Sequence, residues 1–147
     1  MNSNPIGIFD SGVGGLSVAL SIREKLPHED IIYIADSAYA PYGNKSKEFI
    51  LKRSSHIIEH LISQKAKAVV VACNTATVNV VENLRTQYSI PIIGVEPGIK
   101  PAVAISKRRI IAVLATEQTI KSLSFRNLIN RFAGETHIEV QACPALV

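Results

Sequence analysis

The residue with the most chemical scope in this sequence is Cys73. It closes an apolar run, Ala68–Ala72, and precedes Asn74-Thr75 and then a helical pattern. A free thiol of pKa ~8.5 is only about 3% thiolate at pH 7. A helix N-terminus offers unpaired N–H groups and positive potential, and both favour the thiolate. The expectation is a reactive thiol with a lowered pKa. The competing expectation is an inert cysteine packed as a small hydrophobe. Asn74 and Thr75 either cap the helix or hydrogen-bond a ligand carboxylate.

Other short polar clusters stand at similar places. Asp10-Ser11-Gly12-Val13-Gly14-Gly15 follows the apolar run Ile6–Phe9, and Asp36-Ser37, then Ala40-Pro41-Tyr42-Gly43, follows Ile31–Ala35. Ala115-Thr116-Glu117-Gln118-Thr119 follows Ile110–Leu114. Each cluster could simply cap a helix. Several together at the ends of parallel strands predict a polar small-molecule site.

Two further patterns resemble known motifs only weakly. Gly12-Val13-Gly14-Gly15-Leu16-Ser17 has the form of a dinucleotide-binding loop, with Asp36 near the position of a ribose-binding acid. Ser17 stands where the third glycine belongs, and Asp10 would repel a pyrophosphate. Glycines that let a ligand carboxylate approach the backbone explain the same residues. His56-Ile57-Ile58-Glu59-His60 has the H-x-x-E-H form of a metal site. It falls inside an amphipathic helix pattern with no distal acidic ligand, so a solvated helix flank is expected and no metal.

These clusters need strands and helices to position them. β-rich runs recur at Ile6–Phe9, Ile31–Ala35, Ala68–Ala72, Pro91–Val95, Ile110–Leu114 and His137–Ala142. Helical periodicity fills most gaps: Leu16, Ala19, Leu20 and Arg23, with Val18, Ile22 and Leu26 beside them; Ile50, Ile57, Ile58, Leu61 and Ile62; Thr77, Val80, Val81, Leu84 and Tyr88. A short helix fits after Glu96-Pro97-Gly98, and Ile120, Leu123, Leu128 and Phe132 form the last pattern, ended by Gly134. Alternation of this kind predicts an α/β fold with a mostly parallel sheet flanked by helices. Continuous runs such as Val69-Val70-Val71 fit strands buried on both faces.

Composition narrows the class. The chain has 147 residues, 47% hydrophobic and 19% charged, with a net charge of +4. Its apolar runs are far shorter than the ~20 residues of a membrane helix, and no secretory signal pattern opens it. Cys73 and Cys143 have neither a disulfide-framework nor a zinc-ligand spacing, so two free thiols in a reducing cytoplasm are expected. The basic residues are scattered apart from Lys107-Arg108-Arg109, and aromatics are 5%, which speaks against nucleic-acid binding.

Taken together, the segments resemble glutamate racemase, within the aspartate/glutamate racemase superfamily. The matching pieces are Gly7–Ser17, Ala40-Pro41-Tyr42-Gly43, Ala72-Cys73-Asn74-Thr75-Ala76, Glu96–Ala102, Leu114-Ala115-Thr116 with Thr119, and Ala142-Cys143-Pro144. They come in the family's order and span the chain. The resemblance implies cofactor-independent interconversion of L- and D-glutamate by two thiols on opposite faces of the α-carbon, supplying D-glutamate for peptidoglycan. Cys73 matches the first thiol and Asp10 its polar neighbour. Ser11, Tyr42, Gly43, Asn74 and Thr75 match substrate-holding positions, and Thr116 and Thr119 a weaker supporting set.

The resemblance also carries departures. The family's second thiol lies in a Cys-Thr-His motif that these residues do not contain, and Cys143 matches a different family position. Family members run nearly twice this length, with the site between two domains. The expected organisation is therefore residues 1–96 as a first α/β domain lacking its completion and 97–147 as the start of a second, a truncated two-domain racemase fold. The isolated chain is expected to lack turnover; a homodimer is possible for the family. The rival reading is a non-catalytic carboxylate-binding or oligomerisation fragment. A nucleotide-dependent oxidoreductase is a third.

Overall fold

The computed structural model describes residues 3–144, so the expected segments 1–96 and 97–147 extend outside the described residues at positions 1–2 and 145–147. Among the described residues six strands form where the β-rich runs lie: β1 (Ile6–Asp10), β2 (Ile31–Ala35), β3 (Ala68–Val71), β4 (Ile92–Gly94), β5 (Ile110–Ala115) and β6 (His137–Ala142). The first four make one parallel sheet in the order β2-β1-β3-β4, and the last two pair in parallel as a separate sheet. The fold is α/β, as the alternation predicts. Because β1 and β3 are central neighbours, the ends carrying Asp10 and Cys73 are brought side by side (Ala72 N–H donates to Phe9 O at 2.9 Å).

The helices are α1 (Leu16–Lys25), α2 (Lys47–Ser63), α3 (Asn74–Gln87), α4 (Ile99–Ile105), α5 (Glu117–Lys121) and α6 (Leu123–Phe132). On α2, Ile50, Ile57, Ile58 and Leu61 are buried. On α3, Thr77, Val80, Val81 and Leu84 are buried. Both helices cover one face of the four-stranded sheet. The period of two along β3 sends Val69 and Val71 into that core and Val70 to the opposite face with Ile6 and Ile8. This is the physical basis of the continuous Val69-Val70-Val71 run.

Helix α1 departs from its sequence pattern. Leu16 and Leu20 are more than half exposed, and Val18, Ala19 and Ile22 are the side chains that pack on the second face. The last helical pattern is two helices, because Ser122 ends α5 and caps α6, its Oγ accepting from Phe125 N–H at 3.1 Å. A third core joins Val78 of α3 to Ile99, Phe125 and Leu128, so α3 packs against both sheets' helices. No helix among the described residues is long and apolar enough to cross a membrane.

Candidate active site

The strand ends converge on a cleft of about 910 Å³. Asp10, Ser11 and the glycine loop supply one wall; Cys73, Asn74 and Thr75 the floor; Thr116, Thr119 and Cys143 the far side. The cleft therefore lies between the C-terminal ends of the two sheets.

Cys73 is itself the N-cap of α3. Its Sγ accepts from Ala76 N–H at 3.5 Å and lies 3.5 Å from Ser11 Oγ. The side chain is nearly buried, 5% exposed. Burial pushes the thiol up; the hydrogen bonds from Ala76 and Ser11 pull it down, and the Asp10 charge adds to the rise. Burial wins, so the thiol lies above its ordinary range. This corrects the expectation of a lowered pKa: helix-end N–H groups reach the sulfur, but the sulfur has lost its water.

Asp10 organises the glycine loop. Its Oδ2 accepts from Gly15 N–H at 3.0 Å and Gly12 N–H at 3.3 Å. Gly15 is a close-approach glycine: a Cβ there would meet Ala72 Cβ and Asp10 Cβ at 2.8 Å. Tyr33 on β2 donates its hydroxyl to Gly12 O at 3.1 Å and completes the support. Asp10 thus holds the turn into α1 while standing beside Cys73. The dinucleotide reading fails at this point, because Asp10 already occupies the loop N–H groups a phosphate would need.

Thr75, Thr116 and Thr119 form a buried hydroxyl triangle, with Oγ1 separations of 3.1, 3.3 and 3.0 Å. Thr116 also caps α5, accepting from Thr119 N–H at 3.2 Å. The triangle joins α3 to the β5–α5 turn across the cleft. Asn74 Nδ2 donates to Val95 O at 2.7 Å. The other two expected residues stand one layer back: Tyr42 is buried with its hydroxyl on Asp36, and Gly43 packs against Thr116 and lines an adjoining cavity of about 260 Å³.

Among the described residues the cleft wall carries two carboxylates, Asp10 and Glu96, and no lysine, arginine or histidine. An anionic ligand there would be held by N–H and hydroxyl donors rather than by opposite charge. Sequence reasoning missed Tyr33 outright and gave Glu96 and Cys143 no place in the cleft, although both fall in the matching segments. Glu96 opens a matching segment but had no role assigned, Tyr33 is concealed by ordinary strand periodicity, and Cys143 reaches the wall only because β6 pairs with β5 (Cys143 N–H donates to Ala115 O at 2.9 Å). The His56–His60 stretch is a helix flank, where Glu59 accepts from the Tyr88 hydroxyl at 2.9 Å. Among the described residues no group of His, Cys, Asp and Glu could hold a metal ion.

A sequence model of the Asp/Glu/Hydantoin racemase family matches residues 16–146. The chain is 52% identical over 146 residues to a glutamate racemase of Methylococcus capsulatus, covering 99% of this chain and 54% of that protein. It is similar in structure to Escherichia coli glutamate racemase in complex with L-glutamate and the activator UDP-MurNAc-Ala, with a TM-score of 0.89 and 40% identity over 97% of this chain and 55% of that one. It is also similar to Francisella tularensis glutamate racemase in complex with D-glutamate, with a TM-score of 0.80 and 32% identity over 99% of this chain and 55% of that one. The chain spans about half the length of the relatives it matches.

Proposed function

The chain belongs to the Asp/Glu/hydantoin racemase family, and from that premise we propose that it forms the Cys73 half of a glutamate racemase, working without a cofactor to supply D-glutamate for peptidoglycan in the cytoplasm. The reading divides the chain near residue 96, with the substrate between the two parts. The observation that carries it is the Cys73 thiol at the start of α3, beside Ser11 in the cleft between the two sheets.

In this mechanism Cys73, as thiolate, takes the α-proton. The C–H bond breaks, an S–H bond forms, and the electron pair moves into the α-carboxylate as an enolate-like system. Hydroxyl and N–H donors from Ser11, Asn74 and Thr75 suit that developing negative charge. Tyr42 and Gly43 contribute through the turn they build, and Thr116 and Thr119 through the hydroxyl triangle. The substrate α-ammonium brings positive charge next to Asp10 and the sulfur, which offsets the two influences of burial and Asp10 that hold the proton on Cys73. Reprotonation on the opposite face needs a second thiol. Family resemblance assigns that thiol to a Cys-Thr-His motif absent from these 147 residues, and Cys143 is not assigned the role.

The experiment pairs circular dichroism of glutamate solutions with α-proton exchange in heavy water. The expected result is glutamate binding by calorimetry and slow exchange of one enantiomer, lost in Cys73→Ala, with no racemisation by the purified 147-residue chain. Robust racemisation would overturn the single-thiol reading. The raised Cys73 thiol favours a second reading, a non-catalytic carboxylate-binding module. Binding with no exchange at any pH would select it.

A further inference from the structure

The turn between β2 and α2 forms part of the cleft wall through Ala40 and Pro41. Its hydrogen-bonded anchorage lies behind the wall. Asp36, at the end of β2, is 6% exposed and accepts three donors. The Tyr42 hydroxyl reaches Oδ2 at 2.6 Å, Arg53 Nε reaches Oδ2 at 3.1 Å and Arg53 Nη2 reaches Oδ1 at 2.6 Å. The Arg53 guanidinium lies 4.0 Å from the centre of the Tyr39 ring, so its plane is fixed by stacking as well as by the carboxylate. Asp36 N–H donates to Asp10 O at 2.9 Å, which ties the anchor to the strand end that carries the site.

On its other side the same turn meets the second sheet's unit. A Cβ on Gly43 would lie 2.6 Å from Thr116 Cβ, so the turn backbone rests directly on the residue that closes the threonine triangle. Gln118 Nε2 donates to Lys45 O next to it. The Tyr42 ring is 1% exposed, and its position is set by Asp36 at its tip.

We propose that Asp36 and Arg53 are positioning residues for the glutamate site: through Tyr42 they set the Ala40–Asn44 turn against Thr116, and so fix the separation between the Cys73 floor and the threonine side of the cleft. The proposal rests on the glutamate-binding reading above. Neither residue touches the cleft.

The test uses the 147-residue chain with Tyr42→Phe, which keeps the ring and removes only the hydroxyl, and Arg53→Lys, which keeps the charge and removes the fork. In ligand-free samples well below each unfolding midpoint, the amide signals of Gly43 and Thr116 are expected to move. Calorimetric Kd for glutamate is expected to rise about tenfold in Tyr42→Phe, comparable to losing one charge-assisted hydrogen bond. Arg53→Lys should be milder than Arg53→Ala, and Tyr42→Phe combined with Asp36→Asn should be no worse than the worse single variant. A lowered unfolding midpoint with unmoved Gly43 and Thr116 signals and unchanged Kd would overturn the proposal. If the unaltered chain binds neither enantiomer, the glutamate reading fails, and the ligand-free amide signals alone decide whether the pair positions the turn.

Discussion

Replacing Gly15 with alanine tests how the first strand end is built. Gly15 has φ −67° and ψ −8°, a conformation open to alanine, so backbone strain does not enter. The cost comes from contact. The new methyl would lie 2.8 Å from Ala72 Cβ and from Asp10 Cβ, and 3.0 Å from the Tyr33 hydroxyl. The first two atoms sit directly on strand-end backbone and cannot swing aside. Overpacking of this kind costs ~1–3 kcal/mol. Moving the loop also lengthens the buried Gly15 N–H bond to Asp10, a loss of about 1–3 kcal/mol. Reduced freedom of the unfolded chain returns ~0.4–1 kcal/mol. The net is a destabilisation of about 1–6 kcal/mol, which at this length lowers the thermal midpoint by roughly 3–17 °C. Gly12→Ala is the internal control, because a Cβ there meets nothing within 4 Å; it should stay within about 0.5 kcal/mol of the parent. Urea and thermal unfolding followed by circular dichroism measure both. Equal effects of the two substitutions, or a neutral Gly15→Ala, would refute the close-approach argument.

Four other outcomes follow from the site and its surroundings. Cys73 alkylation, separated from that of Cys143 by peptide mapping, should break above pH ~8.5, since burial raises the thiol; a break below that value would contradict its burial. The same raised pKa means that its contribution to stability is complete below the unfolded thiol pKa and is lost as pH rises through the folded one, so unfolding midpoints should fall on the alkaline side and fall less in Cys73→Ala. Asp36 behaves oppositely: burial works against its charge, but Arg53 and Tyr42 outweigh burial and hold the carboxyl below its ordinary value. Its contribution is present above pH ~3.9 and lost as pH falls through the folded pKa, so Asp36→Asn should lower stability at pH 7 and flatten the acid limb of a pH titration of unfolding. Thr116→Val keeps shape but removes the hydroxyl that caps α5 and bonds Thr75 and Thr119. It should cost about 2–3 kcal/mol by urea unfolding, and a cost near zero would mean that the triangle contributes nothing.

By itself the sequence determined the elements and the chemistry at their ends. Six β-rich runs became six strands, and Val69-Val70-Val71, with no polar residue to place on either face, was buried on both. Cys73, Asp10 and Thr116 were legible as candidates because each stands at the end of a strand, where parallel α/β sheets bind ligands; that the ends of two separate sheets face one cleft was decided by tertiary structure. The tertiary structure decided the rest. Leu16 and Leu20 follow helical periodicity yet stand exposed, because periodicity marks a face without saying what covers it. The Cys73 thiol was expected lowered and lies raised, because helix-end potential is local and readable while desolvation depends on everything packed around the sulfur. In sequence Asp36 and Tyr42 were singled out for other roles, and Arg53 for none. Their union into one buried cluster, and the meeting of Gly43 with Thr116 across two sheets, are long-range contacts, and periodicity and capping rules reach only a few residues along the chain.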